Sequence, residues 1–428
     1  MNWQHNRIDE IGQVVSGGTP NTNNSEFWEG DIVWITPNDL NKLNTPFISD
    51  SARKITEDGL EFSSAKLFPP LSLVISTRAP IGYLAINKVP ASTNQGCKTL
   101  VFNSEKSPLF FFYLIAQNLN SLLTFGNGTT FSEISKKDIC KIELDYPAKF
   151  EEQTAIAHIL STVDKAIEKT EKLIAKYKRI KIGLMQDLLT RGIDENGNIR
   201  SEKTHKFKDS PLGRIPVEWE LISLENRKYF ELATGGTPST AKKEYWENGN
   251  IPWLSSGEVH NKKIKNTAVK ITQLGFENSN ARFYPIGSVL IALAGQGKTR
   301  GTVAITEIET TSNQSIAAII PDQKLYNSYF LYHQLDFRYE ELRSISSGSG
   351  RAGLSLRILK TINVIYTGIN EQEEIIKKLN QIDDFLNSNY KSLSKLSLLK
   401  SGLMQDLLTG KVRVPEELIE EINSILNT

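Results

Sequence analysis

The octapeptide GLMQDLLT stands at residues 183–190 and again, without a single change, at residues 402–409, which is 219 positions further along the chain. A long segment with a heptad pattern of apolar residues precedes each copy. Further upstream, each copy has a longer region of mixed composition that opens with Gly-Gly-Thr-Pro, at residues 17–20 and 235–238. The chain therefore contains one arrangement twice, a globular head followed by a long helix, and we expect an internal pseudo-two-fold.

Further motif pairs support the duplication. FWE at 27–29 corresponds to YWE at 245–247, TNQ at 93–95 to SNQ at 312–314, and EQ at 152–153 to EQ at 371–372. The offset varies between 216 and 219 in the heads and stays at 219 through the helices, so insertions fall in loops while helix length is fixed. A duplicated protein suits a ligand that is itself two-fold, and duplex DNA is the commonest such ligand.

The helical segments carry residues at alternating intervals of four and three, which is typical of a coiled-coil seam. The apolar seam positions are Ile156, Leu160, Val163, Ile167, Ile174, Leu184 and Leu188 in the first segment, and Ile375, Leu379, Ile382, Leu386, Leu393, Leu403 and Leu407 in the second. Two polar layers match as well, Thr170 with Asn389 and Lys181 with Lys400. We predict that the helices pack on each other in antiparallel orientation and hold the heads apart. The alternative is two independent amphipathic helices, each lying on its own head.

The pattern along the chain gives a domain plan. Short β-rich runs separated by Gly, Pro and Asn predict a mixed α/β (α+β) fold for each of two tandem heads, at residues 1–150 and 219–367. One helix is expected in each head, near 108–123 and 326–342. The long helices are predicted at 151–190 and 368–428, the latter with a C-terminal tail, and residues 191–218 form a linker rich in Gly, Asn, Lys and Pro.

Composition excludes several classes of protein. The chain has 428 residues, 39% of them hydrophobic and 23% charged, which is enough for two or more cores. The net charge of +1 means that any basic surface must be local. The two cysteines and five histidines lack metal-ligand spacing, and no apolar run approaches the roughly 20 residues that span a bilayer. We expect a cytoplasmic protein with no metal site and no membrane contact.

Three catalytic signatures were tested and fail. Gly-Lys-Thr at 297–299 ends like a phosphate-binding loop, but that pattern needs glycine where Ala292 stands and a helix where the sequence predicts a strand. Pro-Asp-Gln-Lys at 321–324 resembles part of a nuclease metal motif, but no second acidic element follows at a useful distance. The sequence also lacks an Asn/Asp-Pro-Pro-aromatic run or a glycine-rich turn for S-adenosylmethionine. We therefore predict no catalytic residues and no cofactor in this chain.

The heads do carry polar, glycine-rich loops with the side chains that read DNA. Arg and Lys pair with guanine, and Asn and Gln with adenine, in the major groove, whereas basic groups beside backbone amides suit phosphates. The candidate DNA-binding residues are Thr77, Arg78, Asn94, Gln95, Asn127, Thr129 and Lys136 in the first head, and Gln296, Lys298, Thr299, Arg300, Asn313, Gln314 and Arg351 in the second. The Gly-Gly-Thr-Pro segments are interpreted as structural turns, and Trp28, Trp34, Trp246 and Trp253 as core.

These motifs together resemble a known family over nearly the whole chain. Gly-Gly-Thr-Pro followed by an aromatic-Trp-Glu in each head, EQ at the start of each helix and GLMQDLLT at its end are similar to the specificity (S) subunit of type I restriction–modification enzymes. Its strongest local marks are KDSPLGRIPVEWE at 208–220, GLMQDLLTG at 402–410, and GQGKTRG at 295–301 followed by SNQ at 312–314.

The resemblance implies a non-catalytic DNA reader that recognises a bipartite, asymmetric target with one head per half-site. The heads would be target recognition domains, and the helices conserved spacer segments that set the distance between them. The implied partners are double-stranded DNA, two adenine methyltransferase (M) subunits and, through them, two restriction (R) subunits. S-adenosylmethionine, ATP and Mg are expected in those partner subunits. The alternative that the residues leave open is a coiled-coil adaptor whose heads bind protein partners rather than DNA.

Overall fold

The computed structural model describes residues 3–78, 80–103, 106–124, 134–295, 298–345 and 353–426. The chain divides into two compact units, unit 1 (Met1–Lys172 with Lys391–Thr428) and unit 2 (Leu173–Tyr390). Each unit contains one α/β head, the first part of the long helix that follows this head, and the last part of the other long helix. The unit in space is therefore different from the repeat in sequence, because each long helix belongs partly to both units.

The first head (residues 3–147) contains a five-stranded and a three-stranded sheet. The order across the larger sheet is Gly12–Ser16, Cys97–Phe102, Leu73–Ser76, Leu84–Asn87 and Phe47–Ile48, and across the smaller sheet Lys54–Ile55, Trp28–Ile35 and Ala91–Thr93. The first strand of the head, Trp3–Arg7, pairs antiparallel with the last, Glu143–Pro147, so the two ends of the head lie side by side. The helices of this head are Ile8–Ile11, Pro37–Asn41, Glu57–Glu61, Pro108–Thr124 and Lys136–Cys140, with a 3-10 turn at Ser25–Phe27.

The second head (residues 220–366) repeats this topology strand for strand. Its larger sheet has the order Phe230–Thr234, Ile316–Pro321, Val289–Ala292, Val303–Thr306 and Lys263–Ile264, and its smaller sheet Val269–Ile271, Ile251–Leu254 and Thr311–Ser312. Again the first strand, Glu220–Ser223, pairs antiparallel with the last, Asn363–Tyr366. The helices are Gln273–Glu277, Ser328–Phe337, Tyr339–Ile345 and Leu356–Lys360, with 3-10 turns at Lys243–Tyr245 and Ser256–Asn261. The predicted α/β fold in two tandem copies is thus confirmed.

One predicted helix is wrong in detail. The sequence predicted a single helix near 326–342, whereas the structure has two helices that meet at Arg338. The Arg338 guanidinium donates to the carbonyl oxygen of Asn363 at 2.6 Å and to the carboxylate of Glu341. Helical periodicity continues across this break, so the sequence pattern gave no sign of it.

The long helices span Phe150–Thr190 and Ile369–Leu407, which corresponds to roughly 60 Å each at 1.5 Å per residue. Each is followed by a glycine in the left-handed region, Gly192 (φ +63°) and Gly410 (φ +71°), which is a common helix end. All the apolar seam residues are buried or half-buried; the buried ones are Ile156, Leu160, Ile174, Leu188, Ile375, Leu379, Leu386 and Leu407. The seam therefore faces protein throughout.

Within each unit the two helical segments run antiparallel. In unit 1, Asp164 pairs with Lys400 at 2.6 Å, while the earlier residue Glu152 pairs with the later Arg413 at 2.6 Å. In unit 2, Lys181 pairs with Asp383. The amide of Ile193, which follows Lys181 in sequence, donates at 3.0 Å to Glu371, which precedes Asp383. Residue numbers rise on one segment as they fall on the other, so the predicted antiparallel packing is confirmed and the alternative of independent helices is wrong.

The remaining segments complete the units. In the linker, Phe207–Lys208 pairs antiparallel with Ile215–Pro216. After the second long helix, the C-terminal helix Glu416–Leu426 buries Ile419 and Ile422 in the core of unit 1. The linker and the tail therefore both add to the units in which the ends of the long helices lie.

The Glu-Gln pair at the start of each long helix joins the helix to its head. Gln153 is fully buried; its side chain accepts from the amide of Ser107 at 3.0 Å and donates to the carbonyl oxygen of Pro147 at 2.9 Å. Gln372 repeats this arrangement, accepting from the amide of Asn327 at 2.8 Å and donating to Thr367 at 2.6 Å. Each amide is satisfied at both ends, so it fixes the direction in which the helix leaves the head.

The glutamate of each pair binds an arginine from the chain that leaves the other helix. Glu152 is 1% exposed and receives two hydrogen bonds from Arg413, from Nε at 2.7 Å and Nη2 at 2.6 Å. Glu371 binds Arg200 and also accepts from Nε1 of Trp219 at 3.1 Å. Burial alone would raise the pKa of Glu371, but hydrogen bonds from Arg200 and Thr367 hold this pKa below its usual value. We call these two arrangements the Glu–Arg clamps.

We expect Glu371→Gln to lower the free energy of unfolding by about 2 kcal/mol, because it removes the more buried of the two carboxylates that pair with the Arg200 guanidinium, Glu371 and Glu218. Thermal unfolding followed by circular dichroism measures the loss. A carboxylate with a lowered pKa stabilises the fold fully above its unfolded value of about 4.3, and this contribution is lost as the pH falls through the folded value. The difference between wild type and variant should therefore narrow in acid.

Glu373→Gln is the matched control, because Glu373 lies on the same helix two residues further on and is exposed. It should leave the unfolding temperature within about one degree of wild type, since exposed substitutions change stability little. Equal effects of the two variants would show that Glu371 acts only through the overall charge of the helix.

Candidate nucleic-acid interface

In each head, the Gly-Gly-Thr-Pro segment packs against the turn that carries Asn-Gln. We call this turn the NQ turn, at residues 93–96 and 312–315. The amide of Gly18 donates to Thr93 at 2.9 Å, and that of Gly236 donates to Ser312 at 2.9 Å. A Cβ atom on Gly235 would lie 1.9 Å from the carbonyl oxygen of Ser312, so only glycine allows this approach. The Gly-Gly-Thr-Pro segment therefore has a structural role, although it is an extended segment and not a turn.

The tryptophans hold these segments from beneath. Nε1 of Trp34 donates to the carbonyl oxygen of Gly18 at 2.9 Å, and Nε1 of Trp253 donates to that of Gly236 at 3.0 Å. Each ring meets a second tryptophan edge to face, Trp28 and Trp246 respectively, with ring centroids 5.1 Å apart in both heads. Trp246 is half-buried and the other three are buried, so they belong to the core as predicted.

The amide oxygens of the NQ turns are engaged by the protein. In the first head, Oδ1 of Asn94 accepts from the amide of Gly96 at 3.0 Å, and Oδ1 of Asn313 in the second head accepts from that of Ser315 at 3.1 Å. The threonine of Gly-Gly-Thr-Pro binds the neighbouring glutamine: Thr19 donates to Oε1 of Gln95, and Thr237 donates to Oε1 of Gln314 at 2.6 Å. Each head therefore has the same two interactions, in the same direction.

Beside each NQ turn lies the hairpin loop that joins two neighbouring strands of the large sheet. We call it the variable loop, at residues 77–82 and 293–301. Its first amide donates to the NQ turn, Thr77 to Gly96 and Leu293 to Ser315, both at 2.8 Å. The loop closes from Gly82 to Ser76 in the first head and from Gly301 to Ala292 in the second, so the second loop is three residues longer.

The structure corrects the assignment of Thr77. Its side chain is fully buried and its hydroxyl donates to Gly96 at 3.2 Å, so Thr77 supports the loop and is not available to DNA at the surface. Arg78, the next residue, is exposed. The sequence alone could not distinguish Thr77, which holds the loop, from Arg78, which lies at its surface.

In the second head, residues 298–300 form a turn that leads into the strand Val303–Thr306. Lys298 is exposed, and its carbonyl oxygen accepts from Tyr339 at 2.9 Å. The Thr299 hydroxyl lies 3.1 Å from Nε2 of His260, and Arg300 is half-buried. A strand follows Gly-Lys-Thr, as predicted, so this segment lacks the helix start that a phosphate-binding loop uses.

The other candidates are more scattered. Lys136 is exposed at the first position of the helix Lys136–Cys140, whereas Asn127, Thr129, Gln296 and Arg351 lie outside the described residues. Across the described ranges, no group of three or more His, Cys, Asp and Glu side chains is placed to hold a metal ion. Nor does any helix within those ranges have the length and apolar character to cross a membrane. Burial raises the pKa of the Cys97 thiol to about 12, which keeps it protonated.

Two sets of residues with structural roles were missed from sequence. Arg200 and Arg413 complete the Glu–Arg clamps, and Thr19 and Thr237 orient the glutamines of the NQ turns. The identity of the Glu-Gln and Gly-Gly-Thr-Pro motifs in both halves of the chain was the available signal. It marked these positions, but it did not indicate their distant partners.

Comparison with known proteins then decides the family. The profile of the family described as "Type I restriction modification DNA specificity domain" matches residues 1–178 and 216–397. This chain belongs to that family. The predicted resemblance is confirmed, and as a specificity subunit the chain is of the targeting class rather than an enzyme, as predicted.

Relatives and solved structures agree with this membership. The chain is 26% identical over 418 residues to the MjaIX specificity subunit of Methanocaldococcus jannaschii, covering 97% of this chain and 94% of that protein. It is 26% identical over 205 residues to the EcoR124I/EcoR124II specificity subunit of Escherichia coli, which covers 47% and 50% respectively. The crystal structure of a type I S subunit from M. genitalium superposes with a TM-score of 0.57 at 17% identity, covering 95% of this chain and 96% of that one. The HsdS subunit of Thermoanaerobacter tengcongensis gives a TM-score of 0.54 at 16% identity, with 96% and 97% coverage.

We expect Gly235→Ala to destabilise the second head by more than about 2 kcal/mol, because the new methyl group overlaps a backbone oxygen that the sheet holds in place. Thermal unfolding measures the loss. Gly257→Ala is the control, since its Cβ would meet only the Ser255 hydroxyl, at 4.0 Å. If Gly235→Ala unfolds at the wild-type temperature, the segment does not depend on close packing against the NQ turn.

Proposed function

We propose that this chain is the DNA sequence-recognition subunit of a type I restriction–modification complex, and that it reads a bipartite target with one head per half-site. The observation that carries the proposal is the pairing of one scaffold with two different loops. Both heads have the same topology and the same NQ turn, yet the variable loop is TRAPIG at 77–82 in one and LAGQGKTRG at 293–301 in the other. Different loops on equal scaffolds favour two different half-sites, and hence an asymmetric target.

The domain roles follow from this proposal. Residues 1–150 and 219–367 are the two target recognition domains, and residues 151–190 and 368–428 provide the spacer helices and the tail. Among the proposed DNA-binding residues, Arg78, Lys136 and Lys298 are exposed and Arg300 is half-buried, which supports the proposal. Basic side chains of this kind contact guanine edges or phosphates of double-stranded DNA.

The long helices offer a surface for partner subunits. Gly183 and Gly402, in the two copies of GLMQDLLT, are exposed, and a Cβ atom on either would meet nothing within 4 Å. Glycine inside a helix costs roughly 1 kcal/mol relative to alanine, so internal packing does not account for its presence in both copies. A partner that approaches the helix closely, twice, does account for it. The proposed partners are two methyltransferase subunits, and through them two restriction subunits, in the cytoplasm; S-adenosylmethionine, ATP and Mg belong to those subunits.

The experiment that tests this function is to co-express the chain with its cognate methyltransferase in a host free of adenine methylation, and to map N6-methyladenine across the genome. Methylation at a two-part motif with a fixed unread gap is the expected result. A stable complex that methylates no defined motif would favour the alternative, an adaptor whose heads bind protein.

We expect Arg300→Ala to weaken binding of the complex to its target by ~1–3 kcal/mol and to relax one base of a single half-site, since one bidentate contact to guanine has about this value. Competition binding with duplexes carrying each single-base change measures the effect. Lys324→Ala is the matched control, because Lys324 is an exposed cation of the same head beyond the far end of the strand Ile316–Pro321. Equal weakening on every sequence by Arg300→Ala would make Arg300 a phosphate contact instead.

A further inference from the structure

We infer that the NQ turn and the threonine beside it form a phosphate-binding site that is common to both heads. This inference rests on the proposed function, and it assigns two parts of each head to different roles in DNA binding. The common site binds the DNA backbone without regard to sequence, and the variable loop next to it reads the bases. The inference concerns Asn94, Gln95, Asn313 and Gln314, for which the residue types alone had suggested adenine recognition.

The first argument is the identity of the site in the two heads. Each has Thr donating to the Gln side chain, Asn accepting from the amide two residues on, and a backbone bond from the NQ turn to the variable loop. Groups that are the same in both heads do not distinguish one half-site from another. They suit a feature that both half-sites share, and the sugar–phosphate backbone is present at every site.

The second argument is the direction of the amides. Reading adenine with two hydrogen bonds requires the amide oxygen and nitrogen side by side toward the base. Here the oxygens of Asn94 and Asn313 face backbone amides, which can only donate, so the orientation of both side chains is fixed. The oxygens of Gln95 and Gln314 face threonine hydroxyls. The amide oxygens of each turn are therefore engaged within the protein, and the NH2 groups remain as donors for a ligand; phosphate oxygens only accept.

The third argument is position. Gln95 and Gln314 are exposed. The turn that carries each of them accepts a backbone hydrogen bond from the first residue of the variable loop. A phosphate held by the turn would therefore place the loop at a neighbouring base edge in a defined register. Phosphate contacts are known to position a protein on the duplex while base contacts specify the sequence.

The heads differ in one respect that guides the choice of variant. In the first head, Nζ of Lys98 donates to the carbonyl oxygen of Gln95 at 3.1 Å, so an ammonium lies under the turn. The corresponding position of the second head is Ala317, 219 residues further on. Gln314 therefore gives the cleaner test, because Lys98 adds its own charge to the first site.

The test uses the complex with the methyltransferase and two duplexes of equal length, one with the methylated motif and one with the same bases scrambled. Gln314→Glu replaces a donor by an oxygen that repels phosphate, and we expect it to weaken binding to both duplexes by about tenfold. Gln314→Lys keeps donors at this position, so this variant should bind both duplexes at least as tightly as wild type. The methylated motif should stay unchanged in both variants.

Gln323→Glu is the matched control, since Gln323 is exposed in the same head beyond the far end of Ile316–Pro321 and carries the same change of charge. A second variant, Thr237→Val, frees the Gln314 amide to rotate. It should weaken binding to both duplexes, but less than Gln314→Glu does.

Two outcomes would overturn the inference. Relaxation of one base in a single half-site, with the scrambled duplex unaffected, would make Gln314 a base reader. Unchanged binding of both duplexes by Gln314→Glu would make the turn purely structural. Failure of the proposed function is a separate result, because there the wild-type complex itself would show no preference for the methylated motif.

Discussion

The architecture depends on the Glu–Arg clamps, which tie the start of each long helix to the chain that leaves the other. Glu152 with Arg413 and Glu371 with Arg200 bring opposite charges together where water is largely excluded. A charge buried in this way is costly unless its partner is present, so a helix pair shifted by one turn would separate Glu152 from Arg413 and would take Glu371 away from Arg200, which also pairs with Glu218. Apolar seams alone tolerate shifts of one heptad. The clamps therefore define the register that the seam leaves open.

This register explains why each compact unit draws on both long helices. Unit 1 takes its head and the C-terminal helix from opposite ends of the chain, and the same clamp that fixes the helices also holds these ends together. Two Lys–Asp pairs lie further along the seam, Lys181 with Asp383 and Lys400 with Asp164. The two lysines are 219 residues apart in sequence, and so are the two aspartates, so the second pair repeats the first. Each half of the chain thus depends on the other for its stability.

The sequence predicted the parts of this structure that depend on residues close together in the chain. A 3.5-residue period indicates a helix seam directly, and residues such as Leu160 and Leu379, which follow this period, are buried. The clamps were missed because Arg200 and Glu371 are 171 residues apart, and only the folded chain brings them together. Thr77 was misassigned for a related reason, since a threonine and an arginine in one loop look equally available until burial is known.

The two heads differ in the length of the variable loop, and the way this loop is held explains why its length can change. The variable loop joins two strands whose ends are fixed by backbone bonds, Gly82 to Ser76 in one head and Gly301 to Ala292 in the other. Three added residues between such fixed ends change the cost of closing the loop by only a few tenths of a kcal/mol, roughly, because closure entropy grows slowly with length. The NQ turn, by contrast, is held by backbone hydrogen bonds to the Gly-Gly-Thr-Pro segment and to the variable loop in both heads. The variable loop can therefore change in length and sequence while the strands and the NQ turn that support it stay the same.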